Sequence, residues 1–187
     1  SPLLTSLVVN NVEGAYQAVT CLIKKGHRRI GFINGLTNES NFKFNQANDR
    51  LIGFHRALGE FNLLFDPEMI MTSEWNREAA RAAALQLLSH AHRPTAIFAA
   101  SDIQAVGVLE AARSLNIRVP EELSLIGFDG IELSELLDFS TIQQPIEEMG
   151  FLSVQKLITH IDSPETQPEL IRLNTTLVER HTTAFLL

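Results

Sequence analysis

Four side chains of the sequence carry chemistry that suits recognition of a polyol. They are a guanidinium, an indole, a hydroxyl and a carboxylate, contributed by Arg50, Trp75, Ser101 and Asp129. A guanidinium and a carboxylate can bracket vicinal hydroxyls with charge-assisted hydrogen bonds, and an indole can cover the apolar face of a sugar ring. These residue types therefore predict binding of a small ligand without reaction.

Each of these residues also has a purely structural interpretation. Arg50 is a surface charge in that case, although a cation is unfavourable in the first turn of a helix. Trp75 only packs, and Ser101 only caps a helix. Asp129 then organises the turn that follows it, and Asp102 is a weaker candidate because the helix dipole alone favours a carboxylate there.

The elements that position these residues alternate between strand-like and helix-like apolar patterns, which is typical of an α/β fold. We predict an open parallel sheet with helices on both faces. The predicted strands are residues 7–9, 30–34, 69–72, 95–99 and 123–128, followed by two short strands at 170–173 and 176–178. Two predicted helices begin at Asn10 and Ser101, each with a capping-box pattern. Three more are predicted at 47–61, 76–88 and 145–162.

Ligands of open parallel sheets bind beyond the carboxyl ends of the strands. The segments to consider are therefore 35–48, 73–76, 101–102 and 129–130. The sequence contains no phosphate-binding glycine loop and no G-x-S-x-G motif, and its six histidines are scattered. We accordingly expect no enzyme activity, no cofactor and no metal site. An α/β enzyme that uses Asp102 or Asp129 as a nucleophile or metal ligand is the alternative.

The amino-acid composition indicates which kinds of partner this chain can bind. Fifteen Lys and Arg stand against 22 Asp and Glu, for a net charge of −7, so this chain alone is not expected to grip the phosphate backbone of DNA. The basic run at residues 26–29 is interpreted as a solvated turn. No apolar run reaches the roughly 20 residues of a membrane helix, and the single Cys21 cannot form an internal disulfide. We expect a soluble, cytoplasmic protein.

An ordered set of segments resembles the effector-binding core of the LacI/GalR transcriptional regulators. The most specific are LIKKGHRRIGFI at 22–33, RLIGF at 50–54, SLIGFD at 124–129 and TIQQP at 141–145. Others are NNVEGA at 10–15, PTAIFA at 94–99, AVG at 105–107 and LVER at 177–180. Each segment alone is weak evidence for the resemblance, but together, in this order, the segments extend over nearly the whole chain.

The resemblance implies a two-lobed fold like that of the type I periplasmic binding proteins, with a cleft that takes a sugar or, less often, a purine. Carried over by position, Arg50 matches the family's ligand-gripping arginine, Trp75 its stacking aromatic and Asp129 its motif aspartate. Gln144 matches a glutamine near the crossing between lobes. Ser101 departs from the family, which usually has an asparagine there, and this shorter side chain could shift the preferred ligand.

The resemblance also implies a domain division. Residues 7–143 correspond to the C-terminal lobe, 144–169 to a crossover helix and linker that belong with the other lobe, and 170–187 to terminal return strands. Most of the first lobe and the helix-turn-helix that contacts DNA have no counterpart in the sequence, so we expect a fragment of a repressor. The alternative is a periplasmic sugar-binding protein of a transporter or chemoreceptor.

Two apolar surfaces follow from this division. The stripe of the 145–162 helix would lack its usual partner, and we expect it to pack either on its own lobe or on a second copy of the chain. A second apolar set lies in a segment that forms the dimer interface in the family, so a homodimer is expected, although these residues could instead cap the sheet. It consists of Ile131, Leu133, Leu136 and Leu137.

Overall fold

The computed structural model describes residues 5–36 and 45–186 and contains two sheets and six helices within those ranges. The strands are β1 Ser6–Val9, β2 Ile30–Gly35, β3 Ile70–Ser73, β4 Ala96–Ala99, β5 Ser124–Asp129, β6 Ser140–Gln143, β7 Leu170–Leu173 and β8 Thr176–Val178. The helices are α1 Asn11–Lys24, α2 Gln46–Glu60, α3 Arg77–Leu88, α4 Asp102–Ser114, α5 Glu132–Leu136 and α6 Ile146–Asp162. A short 3₁₀ helix, Pro67–Met69, precedes β3.

The larger sheet has six strands in the order β3-β2-β4-β5-β6-β8. Its first five strands are parallel, and β8 closes the edge by pairing antiparallel with β6. The predicted α/β class with an open, mostly parallel sheet is therefore confirmed. The carboxyl ends of β2, β4, β5 and β6 lie at one edge of this sheet, which is where the candidate ligand residues follow them.

Helices cover both faces of the large sheet, and this explains why its central strands are continuously apolar. Phe32 belongs to the core with α1 and α2, whereas the next residue, Ile33, belongs to the core with α3 and α4. On the first face the Phe32 ring stacks between those of Phe54 and Phe98, at centroid distances of 5.1 and 4.9 Å.

The predicted helix starts are confirmed, with one change in the pairing of side chains. Asn10 caps α1 by accepting a hydrogen bond from the backbone of Glu13, and Ser101 caps α4 in the same way. However, the Glu13 carboxylate does not reach back to the cap. It pairs instead with Arg56 of α2 at 3.0 Å, because α1 and α2 lie side by side.

The first predicted strand lies outside the large sheet. β1 pairs in parallel with β7 in a separate two-stranded sheet, with Ser6 opposite Leu170. Sequence analysis also missed β6 and the short α5. The segment Ser140–Gln143 is too polar for an apolar-run criterion, yet Ser140, Thr141 and Ile142 are buried between β5 and β8. The domain division at residues 143 and 169 stays a prediction.

Helix α6 is exposed along most of its length, and none of its residues is buried. Met149 and Leu152 are partly covered, but six other apolar side chains are 53–69% exposed, so the expected packing of the stripe on its own lobe is wrong for most of its residues. Association with a second copy stays a prediction. The exposed apolar residues are Ile146, Phe151, Val154, Leu157, Ile158 and Ile161.

Candidate functional site

The centre of the candidate site is Arg50, which α2 presents to the carboxyl ends of the central strands. The side chain is only 3% exposed, and all three of its nitrogens have partners. Nε donates to Asn11 Oδ1 at 3.0 Å, and Nη1 donates to the Ala100 carbonyl. Nη2 lies 3.5 Å from Asp129 Oδ1. Arg50 therefore ties the start of α1 to the ends of β4 and β5.

Two aromatic rings flank the same guanidinium. Its carbon lies 3.6 Å from the ring centroid of Phe128 and 5.8 Å from that of Trp75. Both distances are within the range of cation–π attraction. Arg50 thus contacts the buried end of β5 and, on another side, the indole that follows β3.

Burial and charge pairing have opposite effects on the pKa values of Arg50 and Asp129. Burial lowers the pKa of Arg50 to about 10, and the neighbouring Asp129 and Asp102 carboxylates oppose that shift. Burial also raises the pKa of Asp129, against the effects of Arg50 and of the amide of Gln144. Each group supplies the counter-charge that makes burial of the other tolerable.

The Asp129 carboxylate is held by an unusual turn. Asp129 has φ of 122° and Gly130 has φ of 74°, so the chain turns sharply where β5 ends. Gln144 fixes the turn from β6, donating from its backbone to the Asp129 carbonyl at 3.0 Å and from Nε2 to Oδ1 at 2.6 Å. A positive φ is uncommon for a residue with a side chain, so the contacts around Asp129 must hold the backbone in this conformation.

Asp102 stabilises this turn with its side-chain carboxylate. Its Oδ2 accepts hydrogen bonds from the backbone of Gly130 at 2.8 Å and of Ile131 at 2.9 Å, and its Oδ1 accepts one from Thr141. The residue is fully buried, and burial raises the pKa of Asp102 to about 6. Asp102 is therefore placed to position the loop that carries Asp129, with no surface left for a ligand.

Trp75 rests on a glycine. A Cβ atom built at Gly35 would come within 2.0 Å of the indole, so only glycine at the end of β2 lets the ring lie there. The segment before Trp75 is anchored by the buried amide of Gln104, which donates to Ser73 Oγ at 2.9 Å and to the Asn34 carbonyl at 3.3 Å. The indole itself is 41% exposed and available for stacking.

The structure brings four of the five predicted residues together: Arg50, Trp75, Asp129 and Gln144. The fifth, Ser101, is 94% buried, and its hydroxyl bonds with the backbone nitrogen and side chain of Gln104. Within the predicted 35–48 segment, residues 37–44 lie outside the described residues.

Sequence reasoning missed three residues that shape the site: Asn11, Gln104 and Phe128. Gln104 is noticed only as part of a helix cap, and Phe128 only as part of a buried strand. Asn11 offers no sequence signal, because its burial, and with it the need for a partner, is known only from the fold.

Two kinds of site are absent from the described ranges 5–36 and 45–186. No group of three or more His, Cys, Asp or Glu side chains is arranged to hold a metal ion. In the same ranges no helix has both the length and the apolar character needed to cross a membrane.

Comparison with known proteins covers almost the whole chain. A family model described as a periplasmic binding protein-like domain matches residues 2–183. The ribose operon repressor of Haemophilus influenzae is 37% identical over 176 residues, which is 93% of this chain and 52% of that protein. The HTH-type transcriptional repressor PurR of Yersinia enterocolitica is 35% identical over 181 residues, 96% of this chain and 52% of that protein.

The fold is also similar to that of solved structures. A LacI family transcriptional regulator from Enterococcus faecium, solved with bound ribose, superposes with a TM-score of 0.90 and 26% identity. That match covers 100% of this chain and 68% of the other. The chain spans about half the length of the curated relatives it matches.

Proposed function

The chain belongs to the periplasmic binding protein-like domain family, and we propose that it is the ligand-sensing part of a LacI/GalR-type transcriptional repressor. The names of its relatives, which are repressors, support this role over that of a periplasmic binding protein for transport. The observation that carries the proposal is the buried Arg50–Asp129 pair beside the exposed Trp75 indole, at the carboxyl edge of the sheet. The site recognises a ligand and does not transform it.

The ligand that this site fits best is a small sugar. Arg50 and Gln144 both contact Oδ1 of Asp129, so the other carboxylate oxygen can accept a hydrogen bond from a sugar hydroxyl, while the almost completely buried Arg50 holds the carboxylate in place. The indole of Trp75 supplies the flat apolar surface that a sugar ring needs. The ribose-bound structural relative supports a sugar, whereas PurR makes purines the class to test against it.

In this proposal the ligand acts by closing a cleft. The rest of the protein supplies the second lobe and an N-terminal helix-turn-helix that binds DNA, and two copies act together as a homodimer in the cytoplasm. A ligand that binds the closed state more tightly shifts the population towards it. The coupling free energy between the sugar and DNA sites cannot exceed the difference in ligand binding free energy between the two states.

Thermal unfolding of the complete protein tests the ligand class. A sugar at 100 times its Kd stabilises the folded state by about 2.7 kcal/mol, so ribose, related pentoses and hexoses are compared with purine bases at equal concentrations. We expect a sugar to raise Tm and Trp75→Ala to remove the shift. Phe65→Ala is the matched control, because Phe65 is 46% exposed, close to the 41% of Trp75, and lies away from the site. A shift with purines alone would refute the sugar class, and a full shift in Trp75→Ala would refute the site.

A further inference from the structure

A second cavity lies away from the candidate sugar site, along the outer face of α1. Its volume is about 550 Å³, within the range of small-molecule sites. One wall is formed by the stripe of α1 that contains Tyr16, Cys21 and Lys24, and the facing wall by Leu177 of β8 and by Phe185. β8 is the edge strand of the large sheet, so this wall is open to solvent on its outer side.

The cavity is lined by two aromatic rings and by apolar and polar side chains, the polar ones including Gln17 and Thr20. The Phe185 ring is 70% exposed, and Lys25 Nζ lies 5.0 Å from its centroid. At the other end, the Tyr16 hydroxyl donates to Glu60 at 2.9 Å, and the Arg56 guanidinium lies 4.1 Å from the Tyr16 ring centroid. The Tyr16 ring is thus already covered by Arg56, whereas the exposed Phe185 ring can cover a flat ligand ring.

The charges that line the cavity leave one cation without a counter-ion. Lys25 pairs with Glu179 at 2.9 Å, so these two groups neutralise each other. Lys24 is exposed and, within the described part of the chain, forms no ion pair with a side chain. Burial raises the pKa of the Cys21 thiol to about 11, so it is neutral at neutral pH. The cavity thus carries one net positive charge on a chain whose net charge is −7.

We propose that this cavity binds a small aromatic monocarboxylate, with its ring against Phe185 and its carboxylate at Lys24. A lysine ammonium acts as a point charge, so Lys24 can pair with a single carboxylate. None of Arg50, Trp75, Asp129 or Gln144 lines this cavity, so the site is separate from the proposed sugar site.

Thiol labelling of the complete protein tests the proposal, because Cys21 lines the cavity and is the only cysteine of the sequence. N-ethylmaleimide labelling of the peptide that contains Cys21 is followed by mass spectrometry with and without 2-naphthoate. We expect saturating 2-naphthoate to slow labelling about tenfold or more. The uncharged 2-naphthamide should need an at least fivefold higher concentration for the same protection, a factor that corresponds to about 1 kcal/mol.

Two lysine variants test whether Lys24 recognises the carboxylate of the ligand at this cavity. Lys24→Gln, at an exposed helix position, should remove the preference for 2-naphthoate over 2-naphthamide, and Phe185→Ala should weaken both. Lys156→Gln on α6 is the control and should keep the preference. The proposal is overturned if 2-naphthoate gives no protection at millimolar concentration, if Lys24→Gln keeps the full preference, or if ribose protects Cys21 equally well.

Discussion

The buried Arg50 guanidinium lies 3.5 Å from the partly exposed Asp129 carboxylate, and this ion pair joins the second turn of α2 to the end of β5. Arg50 is almost completely buried, so each member of the pair depends on the other for its charge. Removing one partner leaves an uncompensated charge, which is costlier than replacing the whole pair. The pair therefore stabilises the fold as well as the candidate site.

Asp129→Asn should destabilise the protein by about 3 kcal/mol, because it removes the nearest counter-charge of the buried Arg50. Asparagine keeps the shape of the side chain and tolerates the positive φ of this position. Urea denaturation measures the change. Glu179→Gln breaks the exposed pair with Lys25 and should cost less than about 1 kcal/mol. Equal losses in the two variants would contradict the importance of the buried pair.

Gly35→Ala should displace the indole of Trp75, because the added methyl group would overlap the ring. Since Trp75 is the only tryptophan, its fluorescence should shift to longer wavelength, and sugar binding should weaken about fivefold to tenfold. Gly59→Ala in α2 is the control, because a methyl group there meets no atom within 4 Å and should stabilise the helix slightly. Unchanged fluorescence and affinity in Gly35→Ala would show that the ring has another position.

Asp102 should make stability depend on pH. Its pKa is about 6 in the folded protein and 3.8 ordinarily, so between these values the folded state binds more protons than the unfolded state. The stabilising contribution is complete below the unfolded pKa and is lost as pH rises through the folded pKa, with a slope of about 1 kcal/mol per pH unit between pH 4 and 6.

Asp102→Asn removes this titration while its amide oxygen still accepts from Gly130 and Ile131. The difference in unfolding free energy between Asp102→Asn and the parent protein, measured by urea denaturation from pH 4 to 7, isolates the contribution of this residue. Parallel pH profiles for the two proteins would show that Asp102 does not titrate in this window.

The exposed stripe of α6 should drive self-association of the 187-residue chain. Phe151, 69% exposed, and Leu157, 59% exposed, offer an apolar surface that another copy can cover. Sedimentation velocity should show concentration-dependent association of the chain, and the double variant Phe151→Glu with Leu157→Glu should sediment as a single chain. Leu64→Glu is the control, because Leu64 is 96% exposed at a different surface. A parent chain that sediments as a monomer at every concentration would refute this.

The segment after β5 should form the dimer contact of the complete protein. Leu136 is 76% exposed and Leu137 is 45% exposed, which does not fit a role as a cap over the sheet. Leu136→Asp and Leu137→Asp should weaken the dimer tenfold or more, as measured by sedimentation equilibrium, while circular dichroism stays the same. An unchanged mass together with unchanged folding would remove this segment from the interface.

Sequence patterns predicted most of the fold because its central strands and covering helices have strong periodicities. The caps at Asn10 and Ser101 and the apolar runs of β2, β4 and β5 are local signals. The pairing of β1 with β7 is not local, since these strands are distant in sequence and an apolar run does not reveal its neighbour. β6 escaped notice because its burial depends on partners for Ser140 and Thr141 that only the folded chain provides.

The residues of the candidate site also fall into those that local sequence signals identify and those that only the folded structure reveals. Arg50, Trp75 and Asp129 are identifiable because their residue types are unusual at the ends of predicted elements. Ser101 illustrates the limit, since a hydroxyl that caps a helix and one that awaits a ligand look alike in sequence. The positioning residues Gln104 and Asp102 become evident only from their hydrogen bonds.

Three very short joints connect the two-stranded sheet and α6 to the large sheet. They are Asn10 between β1 and α1, residues 144–145 between β6 and α6, and residues 174–175 between β7 and β8. The first joint leads directly into Asn11, which holds Arg50, and the second contains Gln144, which holds Asp129. Any rotation of the small sheet must twist the backbone at these joints. In the proposed closing of the cleft, rotation of the small sheet would therefore act on the same hydrogen bonds that hold Arg50 and Asp129.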